Sequence, residues 1–564
     1  IRDFSTNTDG VNSNYFYRRY NLRSNLDIQA TKNLSLRLDV TTRFGDINQP
    51  YSVNAISQIY NFSIIHPYSA PFLNPNGSYA YAYDTKSQQP TLNAMLATMG
   101  YSRQRRTDYN VLVGFTENLE DITKGLSLQG RIAYASVDQN TLNLFRDRGF
   151  PPTYHYDPVT DSYSLNTGTS SGQYTLAKYR TTGNTDISNQ RINAQVYLNY
   201  DRQFGDHHFA GLLLWNQQSY RVDRDATALF PVTGQVPQKF RGYSLRLTYD
   251  YKQKYLLDVN GAYNGSDRFK ADQRNGLFPA VSVGWNLAKE NFFNKALPVF
   301  SLFKVRASYG IVGSDVALGD QYLYNQVYVQ GAAYSFGQND QPAGTIYEGA
   351  LGNSNVTWEK ARKYDIGLDV NMFRSKISIT ADYFHDYRFD QLVTRQDIPE
   401  ILGIGLSPDN VAITINRGAD GSVTYNDKVG NIQYSVGFVF SYAVNKILYQ
   451  AEATQRYPWL ARTGHSINQP FGYTFEGFYS ETDVNDPKIA KPLTAIPIQA
   501  GDIKYKDLNG DGIIDQNDIS PIGKPNLPNT TIGVPVKLSY KGLDVNVLFQ
   551  GAFGYSLSLT GNAI

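Results

Sequence analysis

Residues 358–392 read WEKARKYDIGLDVNMFRSKISITADYFHDYRFDQL, and most of the chain repeats their design. On alternate positions Tyr364, Ile366, Leu368, Val370 and Met372 are apolar or aromatic, while Lys363, Asp365, Gly367, Asp369 and Asn371 are polar or small. After a break at Arg374–Lys376 the alternation returns as Ile377, Ile379, Ala381 and Tyr383 against Ser378, Thr380 and Asp382. Successive strand side chains point to opposite faces, so this is a hairpin with one apolar and one polar side. Each arm is about twice the usual globular strand length. Roughly ten residues at about 3.4 Å rise, tilted by about 40°, cover about 25 Å, the height of the apolar band on an outer-membrane barrel. Tyrosines near the outer ends suit an interfacial girdle. A large soluble sheet burying its apolar face is the competing reading of this hairpin alone.

The rest of the chain decides between the two. The first hairpin, Arg18–Arg43, puts Tyr20, Leu22, Leu26, Ile28, Leu34, Leu36, Leu38 and Val40 on one face and Arg19, Arg23, Asp27, Arg37 and Asp39 on the other. Further arms run through Tyr109–Phe115 and Leu126–Tyr134, Ile192–Tyr200 and Trp215, Tyr243–Tyr251 and Tyr255–Tyr263, and Val281–Trp285 and Phe303–Tyr309. A short helix is expected near Ala288–Lys295. Later come Ile413–Tyr425, turning at Asp427–Gly430 into Ile432–Val444, and Ile532–Tyr540 with Leu543–Gly551 around Lys541-Gly542. That makes roughly eight hairpins, or about sixteen strands, with short turns alternating with long loops at 49–100, 138–188, 312–357 and 450–529. Outer-membrane barrels put short turns on the periplasmic side and long loops outside. The expected fold is therefore all-β: a transmembrane antiparallel β-barrel with long extracellular loops. Ile366, Leu368, Phe438 and Phe440 are expected to face lipid, and Asp365, Asp369 and Ser441 the lumen.

Composition agrees. With 52 basic and 50 acidic side chains in 564 residues, nothing points to a nucleic-acid partner or a polybasic patch. The 44 tyrosines and 46 glycines suit girdled strands with frequent turns, and the absence of cysteine removes disulfides and cysteine-based zinc sites. A mean hydropathy of −0.42 without any long apolar run excludes a helical membrane bundle, while a wet-lumen barrel tolerates it because only alternate residues meet lipid. The chain opens at Ile1 without an initiator Met or signal peptide and stops at Ile564 soon after a strand. Residues 1–564 are thus expected to be one barrel domain, processed or truncated; against the family resemblance set out below, that reading implies an N-terminal plug and some strands lying outside this stretch.

The strongest local motif is Asp507-Leu-Asn509-Gly-Asp511-Gly512-Ile513-Ile514-Asp515-Gln-Asn-Asp518. It matches a calcium loop at positions 1, 3, 5, 6, 9 and 12, with the Ile513 carbonyl at position 7. Asp518 replaces the usual Glu, which shortens the reach for bidentate ligation, and no amphipathic helices flank the loop. The expectation is a structural Ca²⁺ site, open to Mg²⁺, through Asp507, Asn509, Asp511, Ile513, Asp515 and Asp518; the alternative is an acidic turn without metal. Catalytic signals are thin, so no enzyme is expected. Gly168-Thr-Ser170-Ser-Gly172 matches a nucleophile-elbow string but sits in a low-complexity tract, and the six histidines form no metalloprotease pattern. The aromatic tracts Tyr79–Tyr83 and Tyr154-His155-Tyr156 could stack on sugars or peptides, or form small hairpins within loops.

Several strings together resemble the SusC/RagA-type TonB-dependent transporters. They are Arg23-Ser24-Asn25, Ser266-Asp267-Arg268-Phe269, Phe278-Pro279-Ala280-Val281-Ser282-Val283-Gly284-Trp285, Trp358-Glu359-Lys360 with Ile366-Gly367-Leu368-Asp369, and Gly501-Asp502-Ile503-Lys504-Tyr505-Lys506 leading into the Asp507 loop. Ile522-Gly523-Lys524-Pro525 and Ser539-Tyr540-Lys541-Gly542 continue the series. The resemblance implies a barrel of about 22 strands around a plug. It further implies a SusD-like surface lipoprotein as partner, coupling to the TonB complex, and import of oligosaccharides or peptides through the outer membrane of a Bacteroidetes-type Gram-negative cell. A passive porin-like channel and a surface glycan-binding barrel are the competing functions. Substrate-binding residues are not assignable from the sequence.

Overall fold

The computed structural model describes residues 11–558 apart from 52–71, 76, 78–80, 84–87, 91–95, 97–99, 146–153, 158, 166–178, 224–235, 317–321, 339, 340, 400, 402 and 495. Its organising unit is a 16-stranded sheet in which neighbours follow chain order throughout. The strands are β1 Phe16–Gln29, β2 Leu34–Pro50, β3 Gly100–Asn118, β4 Leu126–Phe145, β5 Arg180–Phe204, β6 His207–Asp223, β7 Gln238–Tyr251 and β8 Tyr255–Ser266. They continue as β9 Asn275–Asn286, β10 Phe300–Ser314, β11 Glu359–Met372, β12 Ile377–Val393, β13 Asp409–Val429, β14 Ile432–Tyr449, β15 Thr530–Tyr540 and β16 Leu543–Phe553. All pairs along this sheet are antiparallel. This is the expected up-and-down barrel wall.

One rim is made of short connections, at 30–33, 119–125, 205–206, 252–254, 373–376, 430–431 and 541–542, plus 287–299. Lys541 and Gly542 both have positive φ (45° and 88°), the two-residue turn that matches strand twist. The 287–299 connection holds the expected helix, Asn291–Ala296. The other rim carries every long excursion, including 51–99, 146–179, 315–358 and 450–529.

The strands run farther than the alternation of apolar residues suggests. Pairing of β4 with β5 continues to Phe145 opposite Arg180, beyond the expected limits of 138 and 188. Likewise β13 continues to Val429 opposite Ile432, so the turn is Gly430–Asn431 and not Asp427–Gly430. Ladder hydrogen bonds need only backbone, whereas apolar alternation is required only where a strand crosses lipid. The pattern therefore ends before the strand does.

Register sorts the side chains of β10–β14 into cross-strand rows. Outward rows read Phe303, Val370, Ile379, Val423, Phe438; then Val305, Leu368, Ala381, Gly421, Phe440; then Ala307, Ile366, Tyr383, Ala419, Tyr442. Inward rows read Lys304, Asp369, Thr380, Ser422, Val439 and Arg306, Gly367, Asp382, Asp420, Ser441. The outward apolar side chains are exposed or half-buried; Ile366 is 59% exposed and Phe438 43%. Val370 is the exception at 4%, and its row neighbour Phe303 packs on Phe293 of the short helix.

A buried apolar cluster lies at the long-loop end, where Trp358, Phe269 and Val356 are each 2% exposed and Phe278 and Leu392 7%. Trp358, just before β11, and Leu392, near the end of β12, the limits of the quoted hairpin, are thus buried in this cluster. The Trp358 indole N–H donates to the Arg274 carbonyl at 3.0 Å, satisfying its only polar group. Gly313 leaves the space that the Phe278 ring fills; a Cβ there would collide with it.

Candidate functional site: an ion-paired inner wall and an acidic loop at its rim

The inward rows put like charges side by side, and arginine resolves the conflict. Arg306 on β10 reaches across β11 to Asp382 on β12 (Nη2–Oδ2 2.7 Å) and is flanked on β11 by Asp365 (3.3 Å) and Asp369 (3.3 Å). Gly367 makes the crossing possible, since a Cβ there would meet both the Asp382 carboxylate and the Arg306 guanidinium. Lys304 takes a second share of Asp369 at 2.7 Å. Around the wall the same face carries Lys363–Asp386 (3.4 Å), Arg246–Asp258 (2.6 Å) and Arg37–Asp39 (2.7 Å), with Arg43 bridged to Asp108. His208 sits between Asp201 and Asp250, 3.0 Å from each. Among the described residues the Asp382 Oδ1 and Asp39 Oδ1 atoms are buried without a hydrogen-bond partner. A cleft of about 630 Å³ opens on this face between His208, Arg246, Asp258, Lys304 and Arg306. Such a wall offers paired charges of both signs to whatever passes it.

The excursion 450–529 stands at the long-loop rim. Tyr479, 2% exposed, donates its hydroxyl to Ala490 at 2.7 Å, and the Trp459 indole donates to the Asn517 carbonyl at 2.8 Å. Glu452 accepts from the Arg462 and Thr463 amides (2.8 and 2.9 Å) and from the Thr463 hydroxyl (2.9 Å). Burial alone would raise the Glu452 pKa, but these donors outweigh it, and the carboxyl sits below its ordinary range. In the neighbouring excursion, burial beside Asp267 pushes the Tyr322 hydroxyl up to about 12.

All six residues of the expected metal loop fall on one compact turn. Asp507 accepts from the Gly510 and Gly512 amides (2.7 and 2.8 Å), Asn509 from Asp511 (3.0 Å), and Asp511 from Ile513 (2.9 Å). Asp515 accepts from the Asn517 amide (2.8 Å). Asp518, 0% exposed, closes the turn by accepting from Leu508 and Asp515 (2.8 and 2.9 Å). Gly510 and Gly512 take positive φ, 75° and 81°. Among the described residues no three His, Asp or Glu side chains group as a metal-holding set.

Other sequence candidates fare differently. Gly168–Gly172 and Tyr79 lie outside the described residues. Tyr154–Asp157 pairs with Ser162–Leu165, and Tyr81–Tyr83 with Gln88–Pro90, as small hairpins within the loops. The Arg306 knot and the Trp358 cluster escaped the sequence reading. The signal for the first was Gly367, the one residue in its strand too small for either face.

An up-and-down sheet with a lipid-type outer face and an ion-paired inner face is the wall of a membrane transport barrel. Residues 66–511 match the family described as TonB dependent receptor-like, beta-barrel, and the chain belongs to that family. TonB-dependent receptor P3 of Formosa agariphila is 25% identical over 591 residues, 97% of this chain and 54% of the relative. TonB-dependent receptor SusC of Bacteroides thetaiotaomicron is 28% identical over 321 residues, 54% of this chain and 30% of the relative. The chain thus spans about half the length of the curated relative it matches end to end. The solved RagAB peptide transporter superposes with a TM-score of 0.69 at 15% identity, over 96% of this chain and 58% of that one, a likeness of fold. The chain is a SusC-like outer-membrane barrel, its family one of transport proteins and not of enzymes.

Proposed function

We propose that this chain is the barrel of an energised importer that carries oligosaccharides or peptides across the outer membrane. In this reading a SusD-like surface lipoprotein covers the long-loop rim and the TonB complex drives release inward. The observation that carries it is the inward wall, where charges of both signs, paired across strands, line the face opposite an apolar exterior. Membership of the TonB-dependent family and likeness to SusC support it. The test uses the complete protein in its own membrane. Uptake of labelled peptides and oligosaccharides should fall to background when TonB is removed, and a lipoprotein should co-purify in mild detergent. Uptake that persists without TonB makes the barrel a passive channel.

The Asp507–Asp518 loop supports a second, structural role as a site for Ca²⁺ or Mg²⁺. A carboxylate has about four lone-pair sites, so accepting one or two amides leaves capacity for a cation. Asp507, Asn509, Asp511, Asp515, Asp518 and the Ile513 carbonyl would supply the oxygens, and the cation would offset repulsion among four carboxylates. Calcium added to the metal-stripped complete protein should slow proteolysis within 507–518. Unchanged cleavage leaves the self-bonded acidic turn as the whole account.

A further inference from the structure

The clefts on the inner wall differ in how their charges are balanced. The cleft beside His208 sets Arg246 against Asp258 and Arg306 against Asp365. A smaller one, of about 410 Å³, sets Arg37 against Asp39. A third, of about 510 Å³, lies at the short-turn rim, between the 373–376 turn, the facing ends of β13 and β14, and the end of β15. It gathers Arg374, Lys376, Lys428 and Lys537 around one acid, Asp427, which Lys376 takes at 2.7 Å. Arg374, Lys428 and Lys537 are exposed and have no acidic partner among the described residues.

Register fixes the face on which these cations stand. Lys428 lies opposite Gln433, and Gln433 opposite Ser539; one row further in, Asn426 lies opposite Ser435, and Ser435 opposite Lys537. Alternation from Ser422 and Ser441 puts both rows on the inward face. Lys428 and Lys537 are two strands and one row apart. At about 4.8 Å per strand and about 3.4 Å per residue, their Cα atoms stand about 12 Å from each other. The amides of Asn426 and Gln433 and the hydroxyls of Ser435 and Ser539 occupy the ground between them. Asp544, paired opposite Ser539, is bonded to that hydroxyl, so four cations here face two carboxylates.

This surplus calls for an anion with more than one charge, since the free cations are too far apart to share a single small ion. No aliphatic side chain lines the cleft. A peptide gains its hold from apolar pockets for alternate side chains, whereas sugar hydroxyls need the amides and hydroxyls that stand here. Exposed lysines on flexible stems hold a polyanion loosely, which suits an exit, because cargo bound too firmly would not leave.

We propose, resting on the importer reading above, that this cleft binds an acidic oligosaccharide as it leaves the barrel. Arg374, Lys428 and Lys537 take its carboxylates, and Asn426, Gln433, Ser435 and Ser539 its hydroxyls.

The test measures equilibrium binding to the complete receptor in detergent at low salt, by calorimetry. The probes are tetragalacturonate, a neutral galactose tetramer and tetraglutamate. Tetragalacturonate should bind about tenfold or more tighter than either of the others. Arg374→Gln/Lys428→Gln/Lys537→Gln should weaken it about tenfold, whereas Arg374→Lys/Lys428→Arg/Lys537→Arg should keep most of the affinity. Lys32→Gln/Lys124→Gln/Lys541→Gln removes the same charge from other turns of this rim and should change little. Unchanged affinity in the first variant, an equal loss in the charge control, or equal binding of the neutral tetramer would each overturn the proposal. Tetraglutamate binding as tightly as tetragalacturonate would overturn it in favour of an acidic peptide. Equilibrium binding needs no TonB, so uptake that persists without TonB would end the energised reading and leave this one standing.

Discussion

Between Phe300 and Tyr449 the wall strands are bonded to neighbours on both sides over most of their length, whereas the excursion 450–529 contains pairings of only two to four residues. The wall distributes its order over a ladder in which each side chain has one demand, to suit the medium on its side. The excursion concentrates its order in a few polar side chains that serve backbone groups: Glu452, Tyr479, Ser480 with Asp483 in a capping box, and Asp518. Damage to the wall should therefore depend on which face it strikes. Damage to the excursion should depend on which hydrogen bonds it removes and should stay local.

The sharpest way to break that contrast is to place one charge on each face at the same height. Leu368→Arg should cost about 2–4 kcal/mol and Thr380→Arg, on the inward face beside Asp369, less than about 1 kcal/mol. Refolding of the complete protein into bilayers under urea measures both, and equal costs would deny that the two faces meet different media. Next in size is the knot on the inward wall. Arg306→Ala should cost about 1–2 kcal/mol, since it leaves three carboxylates facing one another in a partly wet setting. Gly367→Ala should cost a similar amount by displacing the same guanidinium, with Arg306→Lys intermediate.

In the excursion the effects should shrink and lose their global reach. Glu452→Gln should open the Arg462–Thr463 segment by about 1 kcal/mol, read as faster exchange of those amides with an unchanged barrel transition. Because its pKa is depressed in the fold, the contribution of Glu452 is complete above the ordinary glutamate value of about 4.3 and fades only as pH falls through the lowered value. Exchange at these two amides that quickens between pH 7 and 5 would contradict that sign. Smallest of all, Asp511→Ala should raise protease access within 507–518 and leave barrel stability within about 0.5 kcal/mol.

The same contrast explains what could be read from the chain. Alternation at Tyr364–Met372 and Ile432–Val444 announces strand, face and turn together, because lipid enforces a period of two. The tight turns at Lys252–Lys254, Arg374–Lys376 and Lys541–Gly542 were legible for the same reason, lying between two periodic arms. Polar extensions such as Gln139–Phe145 were not, since backbone pairing leaves no mark on side-chain type. Arg306 and Asp382 are separated by 76 residues, so their meeting depends on a register that only the folded sheet displays. The Asp507 loop was legible as a turn because Asp507, Asp511 and Asp515 serve amides two to five residues away. The capping of Arg462 by Glu452, ten residues apart, has no comparable spacing rule.

The two-residue turns at Gly205–Asp206, Gly430–Asn431 and Lys541–Gly542 constrain how such a chain can change length. A single residue gained inside β13 would exchange lipid-facing and lumen-facing partners over everything beyond it, carrying Asp420 into hydrocarbon and Val423 toward the charged wall. A residue gained at a two-residue turn would instead replace it with a longer loop and leave the register of both arms in place. Insertions and deletions are thus most easily taken up in the long excursions, such as 51–99, 146–179, 315–358 and 450–529, which already vary from one another in size. Descendants of this barrel should differ most in what they show the outside world and least in the hairpins beneath it.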